Sequence, residues 1–261
     1  MHMKKLLVLV AAMVLLTIPA LSQAPRGGRG GAGGGRQGAA IDLTGYWVSV
    51  LSEDWEFRMV TPDKGVFDTL PLSNEGRRVA NTWDPAKDEA AGEQCRAYGA
   101  GNIMRMPTRL HITWENDTTL RIDTDAGTQT RMLRFGAAPA TPGEPTWQGY
   151  SSASWEAAPG GARGGARGAG GAAASAVPGS GGNLKVVTTN LNGGYLLSSR
   201  DTYSDNAVLT ENFTRHSDFG LEYFTVTAVI EDGGNPRVTS STFKKEPNGS
   251  KFAPTGCEIV K

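Results

Sequence analysis

Arg109, His111, Arg121, Asp123 and Asp125 bring two kinds of cation and two carboxylates within seventeen residues, and Glu211 with Arg215 repeats the mixture further along. A histidine beside a carboxylate has the composition of a general base and the group that orients it. A hydrolase or isomerase built here would use His111 or His216 as base. The signals of covalent catalysis are missing: there is no Gly-x-Ser-x-Gly elbow, and Cys95 has no histidine near it in sequence. His111, Asp123 and Asp125 on neighbouring strands are conceivable metal ligands, but no His-x-His or His-x-x-x-His spacing supports them. Both histidines therefore read as hydrogen-bonded structural residues, with no metal and no cofactor implied.

The elements that must position these side chains are legible in the run Thr108–Phe135. It holds three period-2 segments joined at Asn116-Asp117 and Ala126-Gly127, which is hairpin turn chemistry. Leu110, Ile112, Trp114, Leu120 and Ile122 share one parity, whereas Arg109, His111, Glu115, Arg121, Asp123 and Asp125 take the other. One face is core and the other is charged, as in an antiparallel meander. Charges facing a barrel interior persist only if paired or bound to ligand. Facing solvent they form ordinary cross-strand ion pairs, the expected arrangement here.

Strand-like sequence recurs at 44–51, 55–60, 146–155, 184–190, 194–200, 207–215, 222–231 and 238–245, giving about ten strands with the meander. A short helix is expected from Ser73, a plausible N-cap, to Trp83, and a second piece from Ala86 to Glu93. This spacing predicts an all-β fold, an antiparallel meander barrel of about 8–10 strands with a short helical insertion.

Lys4 and Lys5, the apolar stretch Leu6–Leu21 and the small residues after it read as an export signal covering 1–22. The stretch is too short, and interrupted by Thr17 and Pro19, to favour a permanent span, so no integral membrane segment is expected after cleavage. Residues 23–40 form a Gly/Arg-rich leader, and 157–182 a Gly/Ala/Arg-rich loop; together Arg26–Gly38 and Pro159–Gly182 hold 18 of the 35 glycines. Such sequence buries little and loses much entropy on ordering, so both are expected to be flexible. Residues 41–261 then make one barrel domain carrying that loop. Signal, leader and loop contain seven basic residues and no acidic one, which leaves 19 basic against 26 acidic groups on the body. An acidic body does not suit nucleic acid. Cys95 and Cys257 are the only cysteines, and in an oxidising compartment a disulfide between them is expected.

Gly45-Tyr46-Trp47 at the first strand resembles the Gly-x-Trp signature of lipocalins and their calycin relatives. The resemblance implies that Trp47 plugs one end of an up-and-down barrel and that a basic residue of the last strand, Lys244 or Lys245, stacks on it. The early helix and the strands beyond eight depart from that pattern. A broader resemblance covers Trp83 to Gly99, Trp147 to Ser151, Asn206 to His216, Leu221 to Asp232 and Thr239 to Phe243. These segments look like a family of exported proteins from environmental bacteria, for which a β-rich fold and no assigned reaction is implied.

Together these features predict an exported, periplasmic or extracellular barrel, lipocalin-like, that binds a small, partly apolar molecule without turning it over. Trp47, Trp114 and Trp147 are the candidate walls, and Arg109, His111 and Arg121 the polar anchors. The alternatives are the barrel-mouth enzyme above and a cell-envelope interaction protein with no cavity. Neither the ligand nor the oligomeric state follows from the residues.

Overall fold

The structure, a computed structural model, describes residues 34–52, 58, 65–66, 74–139, 143–157, 181–197, 201–234 and 236–259. The expected export signal, all of the strand at 55–60 but Arg58, Ser73 and most of the 157–182 loop lie outside these residues.

Nine strands close a barrel. They are β1 (Gly45–Val50), β2 (Arg109–Asn116), β3 (Thr119–Thr124), β4 (Thr130–Phe135), β5 (Tyr150–Ala157), β6 (Gly182–Thr189), β9 (Val208–Asp218), β10 (Leu221–Glu231) and β11 (Arg237–Glu246). Their order around the barrel is β1-β11-β10-β9-β6-β5-β4-β3-β2, and β1 closes it by pairing with both β11 and β2. β7 (Gly194–Leu197) and β8 (Asp201–Tyr203) form a separate hairpin.

The arrangement is not a pure antiparallel meander, because β4 and β5 run parallel, with Leu133 opposite Ser151. Parallel neighbours need a connection that returns the chain to the starting end, commonly a dozen residues or more. The stretch 136–149 performs this return and is held at its far end, where the Trp147 carbonyl accepts from the Ala100 N–H at 2.9 Å.

The period-2 patterns set the interior. Leu110, Ile112, Leu120, Ile122, Leu133, Leu184, Val186, Phe213, Phe224, Val226 and Phe243 are all buried and belong to one apolar cluster with Trp47. Phe224 packs edge-on to Trp47 at 4.7 Å and stacks on Phe243 at 4.9 Å. The barrel is filled by side chains.

Each barrel end is covered by a different piece of chain. At one end lies the insertion between β1 and β2, with helices α1 (Asn74–Ala80), α2 (Pro85–Ala90) and α3 (Ala100–Ile103). Asp84 caps α2, its carboxylate accepting the Ala86 N–H at 3.1 Å ahead of Pro85, whose fixed φ suits a first helical position. The insertion buries Ala97, Tyr98, Ile103 and Met104 against the barrel core. Gly127 between β3 and β4 has φ +68°, and a Cβ there would collide with the Tyr98 ring, so this contact requires glycine. The expected disulfide is present: Cys95 in the insertion joins Cys257 in the C-terminal tail. That tail is further fixed by the Thr255 N–H donating to the Asp125 carbonyl at 2.8 Å.

The opposite end is crossed by residues 34–44. They include a short 3-10 turn at Arg36–Gly38 and bury Gly38, Ala40 and Leu43. The last part of the expected flexible leader is therefore ordered structure, because Ala40 and Leu43 supply the apolar contacts that the glycines before them cannot.

Candidate functional site

A cleft of about 630 Å³ opens at the barrel end crossed by residues 34–44. One wall is aromatic and aliphatic. Trp114 of β2, Leu120 of β3 and Trp155 of β5 all lie on the inward parity of their strands at the rim. Phe135 links the two indoles, 5.6 Å from Trp114 and stacked on Trp155 at 5.2 Å. The Trp155 indole N–H donates to the Gly35 carbonyl at 3.0 Å, and the Arg36 N–H donates to the Asp117 carbonyl at 2.8 Å. These two bonds hold the crossing segment over the rim.

The facing wall is polar and comes from the β9–β10 hairpin: Arg215, His216, Ser217 and Glu222. Glu222 pairs with Arg215 and, at 3.1 Å, with Lys245. The hydrogen bond from Lys245, reinforced by Arg215, outweighs partial desolvation and holds the Glu222 carboxyl below its ordinary range. Lys245 also stands over the Trp47 ring at 5.4 Å, so one ammonium ties the charged wall to the buried indole. Lys244 cannot do this, because it pairs with Val48 on the opposite parity. Leu43 lines the cleft, and its carbonyl accepts the indole N–H of the buried Trp47 at 2.8 Å.

The entrance is shaped by the crossing segment itself. The Asp42 carboxylate accepts from the Thr44 N–H at 2.9 Å and from its hydroxyl at 2.7 Å. This local turn redirects the chain into Gly45, whose φ of +110° starts β1. Arg36 and Asp42 both line the opening. A cleft with stacked aromatics on one side and fixed charges on the other can hold a molecule with an apolar body and a polar or ionic end.

No protein-family model matches the chain, and no curated protein matches it.

Of the six residues expected to bind a ligand, only Trp114 lines this cleft. Trp47 is wholly buried in the core beneath it. Trp147 lies at the far end of the barrel, by the helical insertion. Arg109, His111 and Arg121 are on the outer surface, as the parity implies, and so cannot anchor a molecule held by Trp114. Arg109 pairs with Glu246 at 3.3 Å and Asp125 at 3.8 Å, and Arg121 with Asp123 at 2.8 Å. His111 stacks flat on Tyr46 at 4.1 Å with Phe252 at its edge. Desolvation tends to raise the Asp123 carboxyl, but the hydrogen bonds from Arg121 and Thr130 prevail and lower it.

Two acidic or basic side chains expected outside are inside. Glu211 and Arg215 occupy the inward parity of β9 with Phe213. Glu211 is buried against Arg131, and Arg215 reaches the cleft. Trp155 and Glu222 were not singled out by sequence. Their alternation with Ser151, Ala153, Phe224 and Val226 was the available signal, but it required knowing which barrel end the strands reach.

His216 lines the cleft and is stacked on Tyr223 at 5.5 Å. Among the described residues no carboxylate hydrogen-bonds either histidine, and no three His, Cys, Asp or Glu side chains cluster as a metal site. No described helix is long and apolar enough to cross a membrane.

Proposed function

We propose that this is an exported β-barrel protein that binds a small, partly apolar molecule in the cleft beneath residues 34–44. The observation that carries the reading is the pairing of an aromatic wall, Trp114 and Trp155, with a charged wall, Arg215 and Glu222, around a volume of about 630 Å³. That volume falls within the ~300–1,000 Å³ of small-molecule sites, and the lining combines apolar surface with a few placed polar groups, as such sites do. Because the barrel interior is filled, the ligand belongs at the barrel end and not along its axis. Export is supported by the basic, apolar and small-residue order of residues 1–24 and by the Cys95–Cys257 disulfide. The same export features fit the resemblance to exported proteins of environmental bacteria.

Native mass spectrometry of the protein purified from its own host tests this. A retained small molecule, lost from the Trp114→Ala variant, is the expected result. A bare chain that also fails to take up amphipathic probes would contradict it.

A second reading is favoured by the packed interior itself: a cell-envelope interaction protein in which the barrel serves as a rigid carrier and no ligand is enclosed. Under it, the cleft residues would be exchangeable without loss of function, and the exposed loops would not.

A further inference from the structure

We propose that the molecule held in the cleft is an organic carboxylate, a flat apolar body carrying one anionic group, and that Arg215 is the residue that receives that group. The inference rests on the reading of the cleft as a small-molecule site and names the chemistry of its occupant. Arg215, Glu222 and Lys245 stand on the inward parity of β9, β10 and β11, shared with Phe213, Phe224 and Phe243. Glu222 is fully engaged: its Oε1 accepts from the Arg215 guanidinium and its Oε2 from the Lys245 ammonium, the latter at 3.1 Å. Lys245 is held in turn over the Trp47 ring. Arg215 is engaged less completely. Only its Nη2 meets a partner among the described residues, which leaves Nε and Nη1 as donors on a side chain 28% exposed at the cleft wall. The cluster thus brings two cations to one carboxylate, and a second carboxylate completes it.

A cationic ligand meets the reverse situation. To reach Glu222 it would have to displace Arg215 or Lys245. Asp42, the other carboxylate of the lining, spends one oxygen on the Thr44 N–H and hydroxyl and stands exposed on the crossing segment. The rim as a whole sets no preference, because the exposed Asp117 and Asp218 offset its arginines. The choice of an anion comes instead from which groups inside the cleft are already paired. A guanidinium with donors to spare is matched by a carboxylate in both charge and planar geometry. The opposite wall selects the body of the ligand. Trp114, Phe135 and Trp155 form a continuous run of rings, and the Trp155 indole N–H is spent on the Gly35 carbonyl, so that wall offers flat apolar surface for stacking.

Isothermal titration of the purified protein with 2-naphthoate, 2-naphthylmethanol and 2-naphthylmethylammonium tests it, since the three probes share a body and differ in charge. Naphthoate should bind at least about tenfold more tightly than the alcohol, as a hydrogen bond to a charged group implies, and the ammonium should bind most weakly. This comparison in the parent chain decides the anion without any variant. Arg215→Gln should bring naphthoate down to the affinity of the alcohol. Glu222 keeps Lys245 in that variant, so its melting temperature should stay within a few degrees of the parent's. An alcohol that binds as tightly as naphthoate, or an ammonium that binds most tightly, would overturn the proposal and leave the cleft a binding site of other chemistry. A preference for naphthoate undiminished in Arg215→Gln would overturn the role of Arg215. If none of the three binds, the small-molecule reading of the cleft falls together with the proposal.

Discussion

Arg131 and Glu211 meet inside the barrel in a two-pronged ion pair, at 2.9 Å and 2.5 Å, with both side chains essentially without solvent exposure. β5 and β6 separate their strands in the sheet, so the pair reaches across the interior and fixes how two distant walls face each other. Thr188 sits 3.5 Å from the guanidinium and 2.8 Å from the Ser151 hydroxyl, which extends the polar path. Breaking such a pair leaves a buried charge alone, whereas replacing both partners with apolar groups is often neutral. Arg131→Met and Glu211→Leu should each destabilise by about 3–5 kcal/mol, and the double variant by far less than their sum. A double-mutant cycle by urea denaturation measures this; additive losses would show the charges to be independent.

The disulfide joins residues 162 positions apart and fastens the tail that carries Phe252 and Thr255 to the barrel. Constraint of a loop this long is worth up to about 5 kcal/mol in the chain-entropy account. Thermal melts of the oxidised chain and of Cys95→Ser/Cys257→Ser should therefore differ by well over ten degrees. Coincident melts would mean that the unlinked tail is already held by its contacts.

Ala157 and Gly182 are direct partners at the ends of β5 and β6. The intervening Gly/Ala-rich residues can accordingly be replaced by a short Gly-Ser turn without altering the register of the hairpin. The melting temperature should stay within a few degrees, and a collapse would show that the segment packs against the body.

Glu222 provides a pH signature for the charged wall. Its carboxyl is held below the ordinary value of 4.5, first by Lys245 and then by Arg215. A lowered folded value stabilises the protein at neutral pH and is lost as pH falls through it. Glu222→Gln should be less stable than the parent at pH 7, with the gap narrowing below pH 4.5. Urea midpoints across pH 3–7 check this, and a gap that widened in acid would reverse the assigned sign.

Much of the barrel was legible because alternation reports directly which side chains point inward. Leu110, Ile112, Leu120 and Ile122 declared the core, and Trp47 with a basic residue opposite it declared how one end is closed. The parallel β4–β5 pair was not legible, since a Gly/Pro-rich connection reads alike whether it turns back or crosses the barrel. Glu211 looked like a surface residue because its partner, Arg131, lies 80 positions away. The cleft was hidden for a similar reason: Trp114, Trp155 and Arg215 meet only once closure places β2, β5 and β9 around a shared rim. His111, the most suggestive residue by chemistry, is occupied in a stack with Tyr46 on the outer wall.

The central claim is that the cleft between Trp114 and Arg215 binds small amphipathic molecules, and titration with 1-anilinonaphthalene-8-sulfonate tests it most directly. This probe has an aromatic body and one anionic group, matching the two walls. The folded protein and the outer-surface variant His111→Ala should both show saturable one-site fluorescence enhancement. Trp114→Ala should weaken it about tenfold or more, since a stacked aromatic contact and its buried area are lost together. Equal affinity in Trp114→Ala and the parent, or a matching loss in His111→Ala, would contradict a site in this cleft.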